Sequence, residues 1–309
     1  MNKSLIDQYI PVSSYVVDEE YQNTRLDNCL ISKLKGLPRS KIYSIIRKGE
    51  VRVNGSRSKP DRRLKLNDVI RIPPYRKEEK PLKSPSNSLI NLLKESIIYN
   101  DDSVLILDKP SGIASHGGSG LKLGLIEAVR QIDSKFKNAQ LVHRLDRGTS
   151  GCIVLSLKRS VLRRLNTEMR EGRVEKKYLA VVEGKWPHKE VCISSNLKKN
   201  QLRSGEREVV ETPDGKSSTT EFKLLESNNK LSLLECSLLT GRTHQIRVQT
   251  SNEGFPVVGD NKYGNNEINK FYRKKGINRM LLHAKEINFP ELDIFCVAKE
   301  PNQFTEIFK

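Results

Sequence analysis

The chain has 309 residues, of which 30% are charged and 36% hydrophobic. That is enough for two domains with buried cores, and no apolar run approaches the length needed to span a bilayer. Lys and Arg number 55 against 37 Asp and Glu, a net charge of +18. Such an excess points to a polyanionic partner, nucleic acid before acidic membrane, since no basic amphipathic helix with aromatic anchors is visible. Met1 to Ile10 lacks an apolar leader segment, so a cytoplasmic location is expected. The five cysteines are dispersed without a Cys-x-x-Cys pair and the five histidines show no zinc-ligand spacing with them. Reduced thiols and no metal are expected.

Residues 1–20 read as a flexible lead-in. From Thr24 the text becomes a compact module, taken as 21–75. Leu26, Cys29, Leu30 and Leu34 share one helical face, and Gly36 ends that helix. Pro38 reads as the first turn of a second helix with Ile42, Ile45 and Ile46 inside. Arg39, Lys41, Arg47 and Lys48 lie on its outer side. Val51-Arg52-Val53 enters an Asn54-Gly55 turn, and Asp68 to Ile72 is a later strand closed by Pro73-Pro74. Residues 21–80 hold 17 Lys and Arg against 6 Asp and Glu. A charge run is ordinarily a solvated face, but here it decorates one short two-helix module, with Arg52 on the strand that follows. Residues 24–72 resemble the S4 RNA-binding domain, which implies where RNA docks and not what happens to it.

Residues 76–90 are charged, proline- and serine-rich and poor in apolar side chains, a linker composition. The second domain, 91–309, opens with strands at Ile97–Asn100 and Val104–Leu107. His116-Gly117-Gly118-Ser119-Gly120 reads as a mobile loop beside a cleft. It lacks the Gly-Lys-Ser/Thr ending of a nucleotide-binding loop. A helix is expected from Leu121 to about Ile132.

His143-Arg144-Leu145-Asp146-Arg147-Gly148-Thr149-Ser150-Gly151 then runs into the apolar strand Cys152 to Leu157. A loop held by a rigid strand is a place for reactive groups, which makes Asp146 the first candidate for chemistry. By local pattern alone, Asp146 equally reads as a turn residue paired with Arg144 or Arg147. A helix from Val161 to Arg170 stops at Gly172. Lys176 to Val182 reads as a strand, in which Tyr178 would ordinarily be half-buried packing. The segment 240–249 is ambiguous between strand and helix. Thr243 as N-cap and the Gly254-Phe255-Pro256 ending favour a helix over 243–253. Arg242, Thr243 and Arg247 would then cluster at its start, and His244 reads as a hydrogen-bonded structural residue. Two closing strands are expected around Arg279–Lys285 and Ile287–Pro290.

These pieces together resemble the ordered motifs of RluA-type pseudouridine synthases, and the S4 module and His-Gly-Gly-Ser-Gly loop resemble the RluC subgroup, which acts on large-subunit ribosomal RNA. The motifs are His143-Arg144-Leu145-Asp146, Lys177-Tyr178-Leu179-Ala180, Gly241 to Arg247, and Leu282-His283-Ala284. Gln249, where the family often has His, and Ala298-Lys299-Glu300-Pro301, where it tends to have Ala-Pro, depart from the pattern. The resemblance implies an α+β fold: a small S4-like module, then a larger mixed, mainly antiparallel sheet with flanking helices. It also implies isomerisation of uridine, with Asp146 as nucleophile or base. Arg247 would keep Asp146 ionised and aligned. Tyr178 would carry the uracil ring and take part in removing its C5 proton, and Arg144 would fill the gap left in the RNA stack.

Arg242 joins the substrate-binding set. No cofactor is expected, because the isomerisation is neither a redox reaction nor a group transfer between molecules. A monomer is expected. Two rivals stand beside this reading. A non-catalytic RNA-binding assembly factor is disfavoured by the intact Asp146, Tyr178 and Arg247. A hydrolase is disfavoured because no second carboxylate has an evident partner role.

Overall fold

Residues 6–34, 36–79, 84–117, 123–201 and 207–309 are described by a computed structural model. The chain divides between Lys83 and Ser84 into two units.

Unit 1 contains β1 (Ile6–Ile10), β2 (Ser13–Val16), α1 (Leu26–Lys33), α2 (Arg39–Arg47), β3 (Arg52–Val53), β4 (Ser56–Arg57), β5 (Val69–Ile72) and β6 (Tyr75–Glu79). Strands β2, β5, β3 and β4 form one antiparallel sheet, in that order. Leu26, Cys29 and Leu30 of α1 and Ile42, Ile45 and Ile46 of α2 share its core with Val53 and Ile70. Asn54 and Gly55, with φ of 51° and 76°, make the hairpin turn that the Asn-Gly pair predicts. Pro38 is the N-cap of α2 rather than a residue of its first turn.

The span read as a lead-in carries β1 and β2. The start of the span read as a linker carries β6, which pairs antiparallel with β1 from Ile6↔Glu79 to Ile10↔Tyr75. A composition-based reading sees side chains only. Backbone hydrogen bonds form this ribbon, and they leave no mark in composition.

Unit 2 begins with α3 (Asn87–Glu95), whose N-cap Ser86 accepts from the Leu89 amide. This helix also starts inside the span read as linker. Then follow β7 (Ile97–Asn100), β8 (Val104–Lys109), α4 (Leu125–Val129), β9 (Gln140–Leu141), β10 (Ser150–Ser156), α5 (Arg159–Glu171), β11 (Glu175–Glu183) and β12 (Glu190–Gln201). The rest is β13 (Arg207–Glu211), β14 (Lys216–Ser227), β15 (Leu231–Leu238), α6 (Gln245–Asn252), α7 (Asn266–Lys274), β16 (Leu282–Phe289), β17 (Ile294–Val297) and α8 (Gln303–Glu306). Helix α4 is shorter than the span 121–132 predicts. Leu121 itself, with Gly118, Ser119 and Gly120 of the glycine-rich loop, lies outside the described residues. The two expected closing strands are one, β16, because the ladder against β11 resumes at Glu286 after a register shift at Lys285, and β17 pairs from Glu286 onward.

Eleven strands form one sheet, ordered β13-β12-β14-β15-β11-β16-β10-β8-β7, with β17 on β16 and β9 on β10. Among the described residues, only β10 and β16 pair in parallel. The apolar run of β10 is buried on both faces. Ile153 and Leu155 pack into a core with Leu125, Ile126 and Trp186, whereas Cys152 and Val154 pack into another with Leu165 of α5. A strand covered on both sides reads as continuous rather than alternating apolar sequence.

Register fixes the centre of this sheet. Ala284 of β16 stands opposite Tyr178 on one side and Gly151 on the other. Gly151 has φ 106°, and a Cβ there would run into the Ala284 backbone. Gly151→Ala is therefore expected to destabilise unit 2 by more than about 3 kcal/mol, combining overpacking with a left-handed backbone. Thermal unfolding of the variant tests this, and an unchanged Tm would refute the close approach of the two strands.

Candidate active site

The segment Asp146–Thr149 feeds directly into β10, and a second loop, 110–115, pins it. Ser115, buried, accepts from the Leu145 amide at 3.0 Å and donates to the Leu145 carbonyl at 2.7 Å. The Ser111 hydroxyl donates to the Gly148 carbonyl, and the Gly112 amide to the Arg147 carbonyl. The side chain of Arg147 donates back to the Gly112 carbonyl, so it is a fastener of the loop and not a partner of Asp146.

Beneath both loops lies Lys109, fully buried at the end of β8. Its ammonium donates to the carbonyls of Pro110 and Ile113 at 2.9 Å and reaches that of Arg147 at 3.5 Å. Burial, with Arg279 nearby, pushes its pKa down to about 7. The charges of Asp146 and Asp108 oppose that fall, and the carbonyl oxygens accept the hydrogens of the charged form. Nothing in the local text Asp108-Lys109-Pro110 marks this lysine as internal.

His143 begins the loop. Its Nε2 accepts from the Val154 amide at 3.1 Å, which requires an unprotonated Nε2 and places the hydrogen on Nδ1. The ring thereby satisfies a strand amide that would otherwise be orphaned.

Asp146 meets α6. Among the described residues its Oδ2 accepts from Nη1 of Arg247 at 2.9 Å, while Oδ1 has no hydrogen-bond partner. Arg247, in the first turn of α6, is only 8% exposed. Its Nε and Nη2 donate to Oδ2 and Oδ1 of Asp260 at 2.7 and 2.9 Å, and its Cζ lies over the Tyr263 ring, 5.0 Å from the centroid. This two-pronged geometry is specific to a guanidinium. The two carboxylates raise the pKa of Arg247 despite its burial, and Arg247 holds that of Asp260 low against the opposing effect of desolvation. Asp260 also accepts from the amides of Lys262 and Tyr263. A second carboxylate with a partner role therefore does exist. It is 1% exposed and lies behind the guanidinium, a positioning group rather than a second reagent.

Helix α6 begins one turn-residue later than the text predicts. Its N-cap is His244, at φ 57° and ψ 21°, and Thr243 does not cap it. Instead, Oε1 of Gln245 accepts from the Arg242 amide and the Thr240 hydroxyl. The helix is buried along Gln245 to Thr250, and Gln249 secures it. The amide of Gln249 donates to the hydroxyl of Ser195, and its carbonyl accepts from the hydroxyl of Thr220. The Gln that departs from the family pattern is thus fully satisfied in this sheet.

Asp146, Tyr178 and Arg247 line one cleft of about 1050 Å³, together with Arg144, Arg242, His143, His244, His116 and Lys176. Tyr178 is 9% exposed, and burial plus the Asp146 charge raise its pKa well above that of a free phenol. Arg144 is exposed, and Arg242 is anchored by Nε donating to the Ser217 carbonyl. Asn166, Met169 and Arg170 of α5 complete the rim. The other basic residues singled out, Arg39, Lys41, Arg47, Lys48 and Arg52, are all exposed on α2, its C-cap and β3 of unit 1. Among the described residues no group of His, Cys, Asp and Glu is arranged to hold a metal ion.

Two desolvated histidines, His283 buried and His143 half-buried, give a pH prediction. Burial holds His143 and His283 neutral, each with its pKa lowered to about 4 from 6.5. As pH falls, the unfolded chain takes up these protons first. The stabilisation is complete above pH 6.5 and is lost progressively as pH falls to about 4. Each histidine contributes a slope of at most about 1.4 kcal/mol per pH unit, approached only near the middle of that window. Urea unfolding between pH 7 and 5 measures it, and a flat profile would contradict the burial of these rings.

Residues 103–252 match the family model described as RNA pseudouridylate synthase, and residues 24–70 match the S4 domain. The chain is 45% identical over 291 residues to the ribosomal large subunit pseudouridine synthase C of Haemophilus influenzae, covering 93% of this chain and 89% of that one. It is 44% identical to the protein of the same name from Escherichia coli K12, covering 91% and 88%. Among solved structures, human RNA pseudouridylate synthase domain containing 1 is similar at 27% identity and TM-score 0.58, covering 71% of this chain and 86% of that chain.

Proposed function

The chain belongs to the RNA pseudouridylate synthase family and carries an S4 RNA-binding domain, and we propose that it isomerises uridine to pseudouridine in large-subunit ribosomal RNA with Asp146 as the reacting carboxylate. The RNA target comes from the relatives' names. The observation that carries the residue assignment is the state of Asp146. One oxygen is clamped on a buried guanidinium at 2.9 Å, and the other is unpartnered among the described residues in a cleft walled by Tyr178.

The reaction breaks the N-glycosidic bond, turns the uracil and joins it to the sugar through C5. A carboxylate positioned at the ribose can act as nucleophile at C1′ or remove a sugar proton, and the geometry serves either route. Arg247 orients Asp146 and keeps a positive charge behind it throughout. Tyr178 supplies a ring face for uracil. Its raised pKa keeps the hydroxyl protonated at neutral pH. That suits a hydrogen-bond donor better than a resting base for the C5 proton, so general-base duty by Tyr178 is the weaker half of its expected role. A paired uridine must leave its stack at a cost of a few kcal/mol. In this reading Arg144, exposed at the cleft two residues from Asp146, stacks in the vacated position, and Arg242 holds the backbone. A cytoplasmic monomer acting without a cofactor completes the proposal.

Asp146→Asn preserves shape and removes the charge. Release of tritium from 5-tritiated uridine in ribosomal RNA is expected to fall by more than about a thousandfold with RNA binding retained. Near-normal release would sink the assignment. Release by neither protein, with binding intact, would favour the assembly-factor reading.

For unit 1, the exposed cations of α2 and β3 are expected to act by counterion release. Removing Lys41, Arg47 and Lys48 together should flatten the slope of log K against log salt by roughly 2–3. An unchanged slope would place the RNA elsewhere.

A further inference from the structure

His244 stands in the catalytic cleft but has no assigned role, and its surroundings determine where its hydrogen lies. The Oη of Tyr263 accepts from the Val209 amide of β13 at 2.9 Å and lies 2.8 Å from Nδ1 of His244. With one lone pair of that oxygen occupied by an N–H, the phenolic hydrogen is free to point at Nδ1, making Nδ1 the acceptor. The imidazole hydrogen then sits on Nε2, which lies 3.6 Å from Oδ2 of Asp146. The opposite tautomer would set the Nε2 lone pair against a carboxylate oxygen. Both ends of the ring therefore select the same form.

Resting on the assignment of Asp146 as the reacting group, we infer that His244 is a positioning residue for it. Tyr263 fixes the His244 tautomer, and Nε2–H holds the Oδ2 side of the carboxylate so that Oδ1 stays aimed at the substrate. At 3.6 Å the contact is about half an ångström beyond hydrogen-bond range, a gap that active sites commonly close when substrate binds.

Two further observations support this. His244 occupies a left-handed backbone conformation that non-glycine residues rarely adopt, and such strain persists where surrounding structure enforces it. Its ring is also held in the neutral form. Burial lowers its pKa, Asp146 and Asp260 oppose that effect, and Arg247 and Lys262 reinforce it. A neutral ring can donate to Asp146 without neutralising its charge.

The test uses two amides that imitate opposite ends of the ring. In His244→Asn the amide occupies the place of Nδ1 and keeps only the Tyr263 contact. In His244→Gln it reaches the place of Nε2 and keeps only the Asp146 contact. Asparagine is also the better tolerated of the two in a left-handed backbone, so a loss in His244→Asn is not a strain effect. The expected result is kcat within about threefold of wild type for His244→Gln. For His244→Asn, kcat should fall roughly ten- to a hundredfold with KM little changed, the worth of one hydrogen bond to a charged group.

Long-range proton–nitrogen spectra of the full-length labelled protein should show His244 protonated on Nε2, and a tautomer mixture in Tyr263→Phe. Equal rates for the two amides, the reverse ranking, or an Nδ1–H tautomer in the wild type would overturn the proposal. The spectra do not depend on catalysis. An active Asp146→Asn would remove the functional reading while leaving the tautomer result standing. A wrong tautomer beside an inactive Asp146→Asn would remove this inference alone.

Discussion

The site depends on one desolvated cation. Arg247 is buried, and a guanidinium in that position is tolerable only because Asp260 meets it with two oxygens and Asp146 with one. The three groups carry a net single negative charge, so one carboxylate is structurally spoken for and the other keeps a free oxygen. The bidentate face goes to the deeper residue, Asp260, and the single bond to the one at the cleft. That order fixes Arg247 firmly and leaves one oxygen of Asp146 without a partner among the described residues, as a reacting carboxylate requires.

Asp146 lies 101 residues before Arg247, which is itself only 13 from Asp260, and the sheet brings the two regions together. Gly151, Ala284 and Tyr178 stand abreast in β10, β16 and β11, so the catalytic loop enters beside the tyrosine. The closeness of β10 and β16 is possible only without a side chain at 151. Lys109 then ties the loop at 110–113 to the carbonyl of Arg147, next to Asp146. A buried ammonium sharing its hydrogens among carbonyls of two loops is a rigid joint. Releasing it would leave those oxygens unsatisfied in the interior.

Legibility in the sequence follows the range of the interaction involved. Helices α1, α2 and α5 announce themselves by apolar period and glycine stops, and β10 by an unbroken apolar run. The Asp146 loop, Tyr178 and Arg247 are legible as motifs. Asp260 is not, because an aspartate after a glycine looks like any turn residue until Arg247, 13 positions earlier, is placed against it. His244 at a left-handed N-cap defeats a rule that looks for Thr or Ser at the start of a helix, which is why Thr243 was the expected cap. Strands β1 and β6 escape because their pairing spans about 70 residues and is made by backbone groups that every residue carries. Lys109 escapes because buried lysines are rare and its partners are carbonyls.

The two units also divide the energetics in a way the chemistry demands. Electrostatic attachment through exposed cations, as on α2, strengthens substrate and transition state alike, so it raises affinity without lowering the barrier. Acceleration must come from groups whose interactions strengthen as the glycosidic bond breaks, and those are confined to the desolvated cleft of unit 2. A basic accessory module can then set the place on the RNA and help offset the cost of extruding a base, while the chemistry is left to the proposed Asp146–Arg247 pair. On this division, salt weakens binding through unit 1 far more than it weakens turnover of bound RNA, because the buried pair in unit 2 is shielded from ions in solution.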